Sequence, residues 1–295
     1  MELFLDQLAN GVSSGVIYAS VALSLVIIYR TTGLLNFAQG EMAMFSAFVT
    51  WWLTDKGLGI WLALVVSTAL AFVAGAAIER LLIRPVMRTN NSLNVVIVTL
   101  GLFLGVNAVA ALIFIKPGRE ALAMPAMFPT GEIMGVDART VGLAVLLAVQ
   151  CLLLWLLLQK TKLGLALRGV ASNEDSAALV GIKPGQMLMI GWGLAAALGA
   201  IAGSATASTA ANGAFDVSLM QQVLVYSFAA AALGGFDSML GAVVGGLIVG
   251  VVNAMTIQYV HFLEGIELVV PFALILGVLL VRPNGLFGRK IVERV

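Results

Sequence analysis

Cysteine, histidine and charge are what this chain has least of. Its 295 residues include one cysteine and one histidine, and only 11% are charged. A lone cysteine forms no internal disulfide. Cys151 sits inside an apolar run and reads as an inert small hydrophobe. His261 stands beside Glu264 and Glu267 in a short polar stretch. One imidazole with two carboxylates is a thin metal set, and a solvated loop is the simpler reading. There is no Ser/His/Asp arrangement and no zinc spacing, so no catalytic set is legible and an enzyme is not expected. No Gly-Lys-Ser or Gly-Lys-Thr occurs, which removes a phosphate-binding loop. The run LGGFDS at 233–238 has the outline of an ATPase signature, but it lies between apolar runs. Energy, if used, comes from another chain or from a gradient. A net charge of +1 argues against a nucleic-acid partner.

What the chain has in excess is apolar sequence, 61% of all residues. A soluble domain carries roughly a quarter charged residues, so this composition is that of an all-α polytopic membrane protein. A helix needs about 20 apolar residues to cross the hydrocarbon core. Spans are expected near 10–29, 33–54, 60–78, 93–115, 140–158, 187–210, 217–233, 239–260 and 266–281. The second holds Glu41, the seventh Gln221 and Gln222, and the ninth is short and contains Pro271. Those three are candidates for broken or re-entrant elements, which sets the range at eight to ten. The first residues carry Glu2 and Asp6 rather than a basic leader, so the first span is expected to be retained. One membrane domain over 1–295 follows, with no soluble domain.

Lys and Arg set the orientation. With nine crossings and the N-terminus outside, the inner side holds Arg30, Arg80, Arg84, Arg88, Lys160, Lys162, Arg168, Lys183, Arg282, Arg289, Lys290 and Arg294. The outer side holds Lys56, Lys116, Arg119 and Arg139. This asymmetry puts the polar loop 159–186 and the tail RPNGLFGRKIVERV in the cytoplasm. The loop 116–139, with three prolines, is the largest outer feature.

Three polar islands interrupt the apolar runs. The second span opens TTGLLNFAQGEMAMFSAF. Asn36, Gln39 and Gly40 fall at i, i+3 and i+4, one face of a helix, with Glu41 off that face. Gly33 and Gly40 permit close approach or a helix break, and broken helices at mid-depth expose backbone to cargo in many transporters. The competing reading is packing, with Asn or Gln bonding a neighbouring span. The run GSATASTAANGAFD at 203–216 suits tight packing or a gate. In GGFDSMLGAVVGGLIVG, Gly241 and Gly245, and Ala242, Gly246 and Gly250, have the small-xxx-small spacing of helix contacts.

The loop 159–186 reads as two short helices. Ser172 is the expected cap of the second, with Asp175 at the capping-box position and Glu174 and Asp175 suited to the helix dipole. Gly181 is expected to close it as a left-handed cap, with Ile182 as the hydrophobic contact and Pro184 as the stop. Such a helix between two spans is a device for exchanging force with another protein; the plain alternative is a solvated connector.

TTGLLNFAQGEM, RGVASNEDSAALVGI, LGGFDSMLGAVVGG and VRPNGLFG occur in that order along nearly the whole chain. Together they resemble the permease subunit of bacterial branched-chain amino acid ABC importers, the LivH type. The chain departs from the family's usual Arg-Ala before the short helix, having Arg168-Gly169-Val170-Ala171. The resemblance implies the all-helical permease fold of the ribose and branched-chain amino acid type, in a bacterial inner membrane. It implies a second, LivM-type permease, two cytoplasmic ATPases of the LivG/LivF type carrying ATP and Mg, and a periplasmic binding protein. No cofactor is expected in this chain. By the same resemblance 171–182 is the coupling helix, with Arg168, Glu174, Asp175, Ala178, Gly181 and Ile182 facing the ATPase. Asn36, Gln39, Gly40 and Glu41 match the family's polar motif and are the expected translocation path. Relatives of that family carrying urea, short amides or other neutral amino acids are the nearest alternative. A stand-alone secondary transporter relying on Glu41 is the alternative of another class.

Overall fold

The computed structural model describes residues 2–88, 92–116, 118, 122–133, 136–210, 213–260, 266 and 268–288. His261, Glu264 and Glu267, Arg119, and the tail cations Arg289, Lys290 and Arg294 lie outside the described residues.

Each of the nine expected apolar segments contains a helix. They are α1 (Glu2–Thr32), α2 (Gln39–Asp55), α3 (Ile60–Ile78), α5 (Ser92–Phe114), α6 (Ala138–Lys160), α9 (Pro184–Thr209), α10 (Gln221–Gly234), α11 (Met239–Tyr259) and α12 (Val269–Val281). The remaining helices are short: α4 (Arg84–Met87), reached from α3 through a π-helical turn at Glu79–Ile83, and α7 (Lys162–Ser172) and α8 (Glu174–Leu179) in the polar loop. Six described helical stretches are long and apolar enough to cross a membrane. The helices with 17, 14 and 13 residues, α2, α10 and α12, are the three already marked by Glu41, by Gln221 and Gln222, and by Pro271. At 1.5 Å per residue they reach about 20–26 Å, short of the roughly 30 Å hydrocarbon core. The number of full crossings therefore does not follow from helix length. Between α5 and α6, β2 (Glu132–Ile133) and β3 (Val136–Asp137) form a small antiparallel hairpin. In the same connection, β1 (Leu122–Ala123) pairs with β4 (Ala214–Phe215), which follows α9.

The helices form two compact units. One comprises 27–127 and 148–222. Its axis is α9, 67% buried over its most apolar window, whereas α5 is only 11% buried and presents an apolar outer face. Small residues allow α9 its close neighbours: a Cβ at Gly203 would collide with the Ala43 carbonyl of α2, and one on Gly75 of α3 would lie 2.7 Å from the Trp192 oxygen. Thr50 and Ser204 share a 2.8 Å hydrogen bond between α2 and α9. At Gly203 and Ser204, then, the polar island that opens there serves helix packing. Ile28, Ile83, Trp192 and Leu198 form the apolar centre of this unit.

The other unit comprises 1–26, 128–147 and 223–295. Here α11 lies between two helices, and its two small-residue stripes face different partners. Gly246 and Gly250 meet Gly11, Gly15 and Ala19 of α1, whereas Gly241 and Gly245 meet Gly234 and Ala230 of α10. Ser238 caps α11 by accepting from the Gly241 N–H at 3.0 Å. The segment after α12 folds back onto α10: Leu286 N–H donates to Leu233 O and Phe287 N–H to Gly234 O, at 2.8 and 3.0 Å. The motifs LGGFDS and RPNGLFG are therefore two halves of one backbone junction. Gly235 and Gly285, at φ of 100° and 78°, make the turns that junction requires.

Candidate functional site

The polar run at 33–41 breaks the chain between α1 and α2. Gly33 (φ 69°) closes α1 by donating its N–H to Tyr29 O at 2.7 Å. Asn36 then uses its own side chain: Oδ1 accepts from the Ala38 N–H at 3.0 Å. Such Asx turns compete with helix, so α2 starts at Gln39 rather than at 33. This corrects the single helical face expected for Asn36, Gln39 and Gly40. Asn36 precedes the helix and reaches it through Nδ2, which donates to Gln39 Oε1 at 3.3 Å. Gln39 in turn donates through Nε2 to Ala195 O at 2.9 Å. Ala195 is 11 residues into α9, about 16 Å along its axis. The break therefore lies against the middle of α9.

Asn36, Gln39 and Glu41 are each 1% exposed or less, and Gly40 is buried. Glu41 turns away from Gln39, and its Oε2 accepts from Asn107 Nδ2 of α5 at 2.9 Å. The same amide donates to Val217 O at 3.0 Å, tying α2, α5 and the approach to α10 together. Asn107 went unremarked in the sequence, although an amide well inside an apolar span is a signal in itself, unlike Asn94 near the start of the same helix. The described residues hold no group of three His, Cys, Asp or Glu able to bind a metal.

In the polar loop, α7 and α8 appear where two short helices are expected. Thr161 caps α7 by accepting from the Gly164 N–H at 3.0 Å. The cap of α8 is Asn173, not Ser172: Asn173 Oδ1 accepts from the Ser176 N–H at 2.7 Å. Ser172 is still helical, the last residue of α7, so its hydroxyl has no free helix start to serve, and the Ser172–Asp175 box does not form. Glu174 and Asp175 do occupy the first turn of α8. At the other end Gly181 (φ 87°) donates to Ala178 O at 3.0 Å and Ile182 to Ala177 O at 3.1 Å, a complete Schellman closure. Pro184 does not merely stop α8; it opens α9. Glu174, Asp175, Ala178 and Gly181 are exposed and Ile182 is half-buried. Arg168 folds back from α7, donating to Gln159 Oε1 at 3.0 Å. Two residues unremarked in the sequence dominate the tip. Leu179 is 89% exposed and Val180 76% exposed, side by side on a polar loop.

Residues 7–279 match the family described as branched-chain amino acid transport system / permease component. The high-affinity branched-chain amino acid transport system permease protein LivH of Escherichia coli (strain K12) is 29% identical, over 99% of this chain and 98% of its own length. BraD of Pseudomonas aeruginosa, with the same description, is also 29% identical over 99% and 98%. A fructose import permease protein, FruF of Bifidobacterium longum, is 27% identical over 80% of this chain and 66% of its own length. The match over almost the full length, on a helical chain with several bilayer-length apolar helices, identifies a multi-pass membrane protein that belongs to the branched-chain amino acid transport permease family.

Proposed function

We propose that this chain forms half of the translocation path of an ATP-driven importer for leucine, isoleucine and valine. In this reading a second, LivM-type permease completes the path and a periplasmic binding protein delivers the cargo. Two LivG/LivF-type ATPases dock beneath, in a bacterial inner membrane. The chain acts as one permease domain with nine crossings and its N-terminus outside, which follows the Lys and Arg asymmetry.

The observation that carries the reading is α8. Six residues are too few to hold a helix alone, yet α8 is fixed at both ends by Asn173 and by the Gly181 closure. It displays Leu179 and Val180, apolar side chains that a solvated connector has no reason to expose. A short, rigid, apolar-tipped helix suits a groove on an ATPase. It passes a rigid-body push to α9, which starts five residues after α8 ends. Glu174, Asp175, Ala178 and Gly181 present the rest of that docking face, and Arg168 and Ile182 brace it. The buried set Asn36, Gln39, Gly40 and Glu41 serves the path by fixing where α2 begins, not by touching cargo, because these residues are enclosed by protein.

The test is purification in mild detergent with identification of the co-purifying chains, followed by uptake in liposomes. Two ATPases, a second permease and ATP-dependent leucine uptake are expected. Recovery of this chain alone would overturn the reading. Because one relative is named for fructose import, uptake of leucine is compared with that of urea, short amides and sugars. Glu41 supplies a second check. In Glu41→Gln the remaining oxygen still accepts from Asn107, so import is expected to stay within about twofold of wild type, a change of about 0.4 kcal/mol. Complete loss of uptake in that variant would favour a gradient-driven carrier.

A further inference from the structure

An ion pair lies where α3 passes into α4. Glu79 is fully buried, and Arg84 is 26% exposed at its side chain. Arg84 Nε donates to Glu79 Oε1 at 3.0 Å and Nη2 to Oε2 at 2.6 Å. Five residues apart on an α-helix, these side chains would diverge by about 140° around the axis. They meet because Glu79–Ile83 is a π turn, in which the Arg84 N–H bonds back to Glu79 O. Pro85 follows at once and has no N–H to offer the α-helical ladder, which favours the irregular turn.

The guanidinium has a third acceptor. Arg84 Nη2 also donates to Gly185 O, in the first turn of α9. Gly185 makes room for it, since a Cβ there would lie 2.9 Å from one guanidinium nitrogen and 3.0 Å from the central carbon. Gly185 comes four residues after Gly181, the residue that closes α8. A planar fork held at two carboxylate oxygens and one carbonyl is a stiff joint, and lysine does not reproduce it. On one side of the joint is the short capped helix; on the other are α3 and the buried end of its π turn.

We infer that Glu79, Arg84 and Gly185 are positioning residues that carry movement of α8 into α3. This rests on the importer reading, in which α8 receives the ATPase stroke. The joint makes the displacement of 173–185 and that of the π turn one motion, so that α3 moves with α9 instead of sliding past it.

The experiment follows amide hydrogen exchange in the assembled importer, with and without a non-hydrolysable ATP analogue, in two stretches: 173–185 and 79–87. In wild type both stretches are expected to change on nucleotide binding. In Glu79→Gln, Arg84→Lys and Gly185→Ala the change at 173–185 is expected to persist and the change at 79–87 to be lost. Gly185→Ala leaves both charges in place and only displaces the guanidinium, so it separates transmission from loss of a buried pair. A response at 79–87 that survives in all three assembled variants, or is missing from wild type while 173–185 responds, overturns the inference alone. No response at 173–185 in wild type overturns the coupling reading and the inference with it, and the two failures are told apart by that stretch.

Discussion

Gly181→Pro is expected to cut import by about five- to a hundredfold, the span of typical coupling energies, while the chain stays inserted and assembled. Gly181 sits at φ 87°, and proline is confined near −65°. Its N–H, which proline lacks, donates to Ala178 O, and the neighbouring Ile182 bond to Ala177 O depends on the same turn. Loss of both bonds removes the Schellman closure from the last turn of a six-residue helix, and Leu179 and Val180 lose their fixed direction. The damage stays local because nothing lies within 4 Å of a Cβ built at Gly181. ATP hydrolysis should therefore continue while transport per ATP collapses. Gly181→Asn, a tolerated left-handed cap residue, should restore most of the import. Glu174→Arg acts at the opposite end through the helix dipole, an effect of roughly 0.3–1 kcal/mol, and should uncouple more weakly. Uptake and ATP turnover measured on the same liposomes decide this. Normal transport in Gly181→Pro and Glu174→Arg removes α8 from the coupling role.

The local signals of this loop were legible to different degrees, and the reasons are physical. Gly181 was readable because only a residue without a Cβ adopts that φ cheaply, so glycine followed by an apolar residue and a proline implies one geometry. The start of α8 was not, because Ser172 and Asn173 are both competent caps. What decided between them was where α7 ended: Ser172 is its last residue and Asn173, at φ −160°, is extended. The apolar helices themselves were plain from hydropathy, whose boundaries at α3, α10 and α11 fall within a few residues of those observed. The start of α2 was shifted because the helical spacing of Asn36 and Gln39 is a pattern that an Asx turn disrupts. Partners across elements had no signal in spacing at all: Asn107 to Glu41 spans 66 residues and Arg84 to Gly185 spans 101. Arg84 entered the sequence reading as one of several inward cations, when its position in the fold is a buried joint.

The two small-residue stripes of α11 lead to the largest expected loss of stability, in Gly250→Val. A Cβ at Gly250 would overlap the backbone of Gly15 and Gly11, and one at Gly246 that of Ala19. Backbone cannot swing aside as a flexible side chain does, so a branched side chain must drive α1 and α11 apart. In a bilayer there is little hydrophobic gain to recover elsewhere, because lipid is as apolar as the helices and association rests on close van der Waals packing. Separation would also strain the Gln7–Gln258 bond of 3.0 Å, at the far end of the same helix pair. Overpacking of this kind costs about 1–3 kcal/mol and more where backbone is the obstacle. We therefore expect Gly250→Val to lower the thermal midpoint sharply and to reduce the yield of monodisperse protein. Gly277→Val in α12, where nothing lies within 4 Å of the added Cβ, should change stability by no more than about 0.5 kcal/mol. Equal melting of both variants would mean that α1 and α11 tolerate separation, and that the glycine spacing is not what holds them. A deficit confined to Gly250→Val, with Gly250→Ala intermediate, would show that the cost grows with the volume forced between the two helices.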